Sequence, residues 1–128
     1  MCYGDGNVEN GGMMSVLPEL KPFVRLTIAN PASESHSEFG RGVAALCQGV
    51  VDTGSLNAAA KQMGMAYSKA WRIMKDTEDA LGFKMLNRDG AHGSTLTVEG
   101  QALLDTYYEV EKLAQEAADK LLAEAIAQ

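Results

Sequence analysis

The side chains able to do chemistry fall into two groups, and the first leads nowhere. His36 and His92 are the only histidines and Cys2 and Cys47 the only cysteines in 128 residues. None lies at metal-ligand spacing from another. Ser94 has no histidine that sequence can place beside it, so no nucleophile–base pair arises. Gly90-Ala91-His92-Gly93 lacks the length and the Lys-Ser/Thr ending of a phosphate-binding loop. The expectation is no enzyme, no cofactor and no metal. The second group is basic. Lys69 and Arg72 open a helical segment whose second half carries Asp76, Glu78 and Asp79. A helix N-terminus is partly positive, so each charge on the wrong end costs about 0.3–1 kcal/mol. The pairs Arg72–Asp76 and Lys75–Asp79 also run base before acid, the weaker order at this spacing. Phosphates or base edges at the N-terminal end would compensate; an ordinary solvated face is the alternative.

Total charge speaks against a nucleic-acid partner, and its distribution speaks for one. The net charge is −6 with a pI near 4.8. Residues 1–40 carry −3 and residues 98–128 carry −5, while seven bases against five acids leave residues 41–97 at +2. Surface charges are screened beyond about 8 Å at physiological salt, so a partner on the middle segment feels the local sign first. Two cysteines make no disulfide framework and imply a reducing compartment. There is no run of about 18 apolar residues and no secretory signal, so a cytoplasmic protein without a membrane partner is expected.

The elements that must position these side chains follow from periodicity. Glycines 4, 6, 11 and 12 mark residues 1–20 as a disordered leader, within which Met13 or Met14 is a plausible second translation start. From Pro22 strict alternation sets Val24, Leu26 and Ile28 on one face and Phe23, Arg25 and Thr27 on the other, as in a half-buried strand. A helix beginning between Glu38 and Gly42 buries Val43, Leu46, Cys47 and Val50, with Val51 at the edge of that face, and stops at Gly54. Ser55 caps a short helix, Leu56 to Met63, and a third helix runs from Tyr67 to Leu81. Ala70, Met74, Thr77 and Leu81 face inward, flanked by Trp71 and Glu78; Trp71 is expected in the core, with base stacking as its other use. Cys47 is read as a small buried apolar group, with redox sensing the minor alternative. A hairpin over 84–96 and a final helix capped by Thr97 complete the chain.

Strand, three helices, hairpin and long helix is the order of a winged helix-turn-helix: mainly α with a small β-sheet, a β-hairpin wing and a long C-terminal dimerisation helix. The short turn Gly64-Met65-Ala66 between two helices suits the motif, whose second helix enters a DNA major groove. The pieces Phe39-Gly40-Arg41-Gly42, Thr53-Gly54-Ser55-Leu56, Ala58-Ala59-Ala60-Lys61, Gly64 to Trp71, Leu81-Gly82-Phe83 and Gly93 to Gly100 together resemble the DNA-binding domain of bacterial ModE-type molybdate-responsive regulators, relatives of the LysR type. The resemblance covers roughly residues 22–110. It implies that Tyr67, Ser68, Lys69 and Arg72 face the major groove and that Ser55 and Asn57 meet phosphate. It further implies that Arg88, His92, Ser94 and Thr95 in the wing reach the backbone or minor groove; Lys84, just before them, is expected to add a phosphate contact.

Three departures from that family matter. Ala66 stands where Ser or Thr usually caps the recognition helix, so the helix is expected to start there less firmly, or at Ser68. Val98 stands where many relatives have Pro. After Gly100 only one helix follows, so a molybdate-binding domain is not expected, nor any specific small-molecule ligand. The resulting division is a leader over 1–20, a winged helix-turn-helix over 21–100 and a dimerisation helix over 101–128. Leu103, Tyr107, Val110, Ala114, Ala117, Leu121 and Ala125 form a nearly heptad seam on that helix. The function expected is a homodimeric, sequence-specific regulator of transcription on double-stranded DNA. The alternative is a winged-helix adaptor that binds protein through its acidic surfaces.

Overall fold

A computed structural model describes residues 19–88 and 93–127. The expected leader therefore falls almost wholly outside the described residues, as does the tip of the hairpin. The elements are α1 (Arg41–Thr53), α2 (Leu56–Gln62), α3 (Tyr67–Leu81), β1 (Leu86–Arg88), β2 (Ser94–Leu96) and α4 (Val98–Ala127). Strands β1 and β2 pair antiparallel with Leu86 opposite Leu96 and Arg88 opposite Ser94. This is a winged helix-turn-helix, mostly helical with a two-stranded wing. No described helix is long and apolar enough to cross a membrane.

Residues Arg25–Val110 form one unit. Its core gathers Phe39 with Val43, Leu46, Cys47 and Val50 of α1, Leu56, Ala59 and Ala60 of α2, and Ala70 and Met74 of α3. Met85, Leu86, Leu104 and Tyr107 close it from the wing and α4, and the Phe39 and Tyr107 rings meet edge to face at 5.3 Å. Helices α1 and α2 approach closely because Gly49 has no side chain: a Cβ there would stand 2.6 Å from that of Ala59. Thr97 caps α4 as expected, its hydroxyl accepting from Gly100 N–H at 2.9 Å and donating to the Lys84 carbonyl at 2.7 Å. Burying an apolar side chain contributes about 1.5–3 kcal/mol, so this cluster sets the frame on which α3 and the wing are mounted.

The N-terminal strand is corrected to an extended segment with a single bridge. Ile28 and Phe39 exchange both backbone hydrogen bonds, at 2.9 and 2.8 Å, and no ladder continues from them. The alternation is real, since Leu26 and Ile28 pack on the core and Phe23 is 72% exposed. Alternation records which face is buried, and says nothing of a neighbouring strand.

The second unit joins the chain up to Val24 with the helix from Glu111 onward. Here the carboxamide of Gln115 accepts from Val24 N–H at 3.0 Å and donates to the Pro22 carbonyl at 2.8 Å. Leu20, Lys21 and Pro22 line a groove with Asp119, Leu122, Ala123 and Ile126. The expected seam divides: Leu103 and Tyr107 pack into the core, whereas Val110 and Leu121 are exposed at 42% and 64%.

Candidate nucleic-acid interface

Helix α3 starts at Tyr67 with Ala66 at the N-cap, whose methyl makes no capping hydrogen bond. The first turn thus leaves backbone N–H groups without intrahelical partners, as every helix does, and without the side-chain acceptor that usually covers one. Tyr67, Ser68, Lys69 and Arg72 all stand exposed on these first two turns. Among the described residues no carboxylate pairs with Lys69 or Arg72, while Lys75, one turn on, pairs with Asp79 at 3.4 Å. Of the two base-before-acid pairs, then, only the second forms. The result is a cluster of uncommitted donors with local positive charge, the surface that phosphates and major-groove acceptors fit.

The other expected residues are divided by the fold. Ser55 is half-buried and its hydroxyl already accepts from Ala58 N–H at 3.1 Å, capping α2, while Asn57 beside it is exposed. Ser94 is tied to the same corner, donating its N–H to the Gly54 carbonyl at 2.9 Å. Gly54 ends α1 in the left-handed conformation (φ 78°), and Gly93 approaches it at φ 106°, where an added Cβ would collide with the Gly54 oxygen. Two glycines therefore let the wing meet the start of α2. Thr95 is exposed and lies opposite Asn87. His92 lies outside the described residues.

Lys84 stands exposed, Trp71 departs from expectation, and Glu78 emerges as a further residue. Lys84 is exposed beside the C-terminal end of α3, in a groove shared with Lys75, Asp79 and Gly82. It lies past the end of that helix, beyond the αL residue Gly82, and faces its second half. Trp71 is corrected from core to surface, being 39% exposed with the Arg88 guanidinium 5.5 Å from its ring centre. Glu78, expected only to flank the buried stripe, is itself buried at 4% exposure. Its Oε2 accepts from Met85 N–H at 2.7 Å and Leu86 N–H at 3.1 Å, and Arg88 lies 3.8 Å from its Oε1. Its position had a signal in the sequence, since residue 78 falls four after Met74 and eight after Ala70, on the stripe itself.

Cys47 lies within the core beneath this arrangement. Burial, with the Glu78 charge adding to it, pushes its thiol from the ordinary 9.0 up to about 12. It behaves as the small apolar group that sequence suggested.

Comparison with known proteins agrees with the fold and extends it. Residues 44–101 match the family described as bacterial regulatory helix-turn-helix protein, lysR family. No curated protein matches the chain. Six chains of solved structures match. One of them, "Crystal structure of CbnR_DBD-DNA complex", is 29% identical, covering 64% of this chain and 93% of that one with a TM-score of 0.53. The matched stretch contains α2, α3 and the wing, the parts that carry the exposed cluster.

Proposed function

We propose that this chain is a sequence-specific double-stranded DNA-binding regulator of transcription that acts as a homodimer and carries out no catalytic step. The observation that carries the proposal is the set Tyr67, Ser68, Lys69 and Arg72, exposed and uncommitted on the uncapped N-terminal turns of α3. The similarity to a DNA-complexed domain and to the lysR-family regulators supports it. In this role α3 enters the major groove, Arg72 reads base edges, and Lys69 with Asn57 and the wing residues Ser94 and Thr95 contacts the backbone. Bound protein then acts by position, blocking or recruiting polymerase.

Dimerisation rests on α4. Leu113 and Leu121 are 54% and 64% exposed, with Ala117 and Ala125 exposed between and after them, a strip narrow enough for close approach of a second helix. A two-fold dimer then reads half-sites about 34 Å apart or a multiple of that. Selection of bound sequences from random duplex, followed by titration at rising salt, tests the function: affinity falls linearly in log–log form with salt. Absence of duplex binding at low salt, on selected and random DNA alike, would replace this function with the protein-binding adaptor. Sedimentation tests the assembly, and a monomer at high micromolar concentration refutes it.

The ModE-type likeness invites molybdate as an effector. An oxyanion needs convergent donors in a water-poor pocket, and residues 98–128 bring a net charge of −5 instead. The chain by itself is therefore proposed to respond to no specific small ligand. Calorimetry with molybdate against sulfate decides it, heat specific to molybdate being the contrary result.

A further inference from the structure

Glu78 is a carboxylate placed on the face of α3 where apolar side chains belong. Taking a carboxylate out of water demands donors and a counter-charge together. The Met85 and Leu86 amides supply donors to Oε2, while Oε1 is buried with no hydrogen-bond partner. Among the described residues Arg88 is its one ion-pair partner, at 3.8 Å. The same guanidinium also lies 5.5 Å over the Trp71 ring, a favourable cation–π placement. Arg88 therefore has two partners on α3, whereas among the described residues no carboxylate pairs with Lys69 or Arg72. All three links, the two amides and the guanidinium, join the recognition helix to the chain entering and forming β1.

We infer that Glu78 and Arg88 are positioning residues, a buried carboxylate and an exposed guanidinium that together fix the wing against the recognition helix, with the Arg88 charge committed to Glu78 and not to a DNA phosphate. The inference rests on the DNA-binding proposal and gives Arg88 a different task from the one its place in the wing suggests. A phosphate that captured Arg88 would strip the buried carboxylate of its counter-charge, so the two uses compete. Orientation of the wing relative to α3 decides whether both reach their grooves at once, and this pair sets it.

The test compares Glu78→Gln, Arg88→Met and the double variant with the full chain, each checked for folding by circular dichroism. Trp71 is the only tryptophan, so its emission reports Arg88 without DNA. Each single variant is expected to shift that emission, and the double variant to match Arg88→Met alone. With the selected duplex, both single variants lose affinity roughly tenfold and lose hydroxyl-radical protection under the wing. The slope of log affinity against log salt stays at the wild-type value. A phosphate contact predicts the opposite: Arg88→Met lowers that slope by about one, and Glu78→Gln, which removes a negative charge, binds no worse. Either result overturns the inference, as does an unchanged Trp71 emission in Glu78→Gln. If Glu78→Gln does not fold, the salt slopes of Arg88→Met and Arg88→Lys decide alone, equal slopes supporting the pair and a slope lowered only in Arg88→Met refuting it. Wild-type protein that binds no duplex refutes the DNA-binding proposal and the positioning role with it, a result distinct from binding with a changed slope.

Discussion

The Ser94 amide donates to the Gly54 carbonyl at 2.9 Å, so the second strand of the wing hangs from the turn that opens α2. The bond fixes one corner of the hairpin to a point two residues before Leu56, whose side chain is in the core. The approach needs a residue without a side chain at 93, where φ is 106° and the Gly54 oxygen fills the Cβ position.

Gly93→Ala is therefore expected to cost about 1–3 kcal/mol of stability, from the strained backbone together with loss of this contact. Urea unfolding checks the magnitude. A loss below about 0.5 kcal/mol would mean that the wing detaches from Gly54 without consequence.

At the start of α3 the opposite change is favourable. Ala66 is already extended (φ −65°, ψ 144°), the conformation of a capping residue, and lacks only the oxygen. Ala66→Ser should raise stability by about 1 kcal/mol, read as an increase in the urea midpoint with unchanged slope.

Arg72, Lys69 and Lys84 should separate in DNA titrations. Arg72→Ala is expected to lose about 1–3 kcal/mol on the preferred sequence and to relax preference at one position. Lys69→Ala should weaken all sequences alike and reduce the salt slope by about one. Lys84→Ala, at the far end of α3, should change affinity by less than about 0.5 kcal/mol. Equal losses for Lys69 and Lys84 would show that DNA follows a different path across the protein.

Cys47 gives the alkaline side of the stability curve a definite sign. Its thiol is raised from 9.0 to about 12 in the folded chain. Above pH 9 the unfolded chain releases this proton while the folded chain keeps it, so folding becomes less favourable as pH rises toward 12. From about pH 8 to about pH 10 the wild type should lose about 1.4 kcal/mol more than Cys47→Ala. Parallel curves for the two proteins in denaturant titrations would contradict the burial.

Much of the fold was legible because its signals are local. Gly54 and Gly82 end helices where they fall in the sequence, Ser55 and Thr97 cap the helices that follow them, and Tyr67 to Leu81 is helical over the range its periodicity marks. What failed to show were relationships between distant residues. Glu78 reads as a polar residue at the margin of the stripe, because the amides that satisfy it come from Met85 and Leu86, beyond the end of its own helix. Trp71 reads as core because its size suggests burial, and no local signal places it 39% exposed beneath Arg88. The exposed cluster on α3 was legible through its inverted charge order, a purely local feature.

The Gln115 carboxamide does for the N-terminal segment what a neighbouring peptide would do. It accepts from the residue after Phe23 and donates to the residue before it, the pattern of one rung in a parallel ladder. An extended segment with open N–H and C=O groups invites pairing with any other extended chain. Here a helix side chain occupies the Val24 N–H and the Pro22 carbonyl, so this rung of the segment offers no adhesive edge for aggregation. Glutamate in its place would keep the acceptor and lose the donor, and half of that protection would go with it.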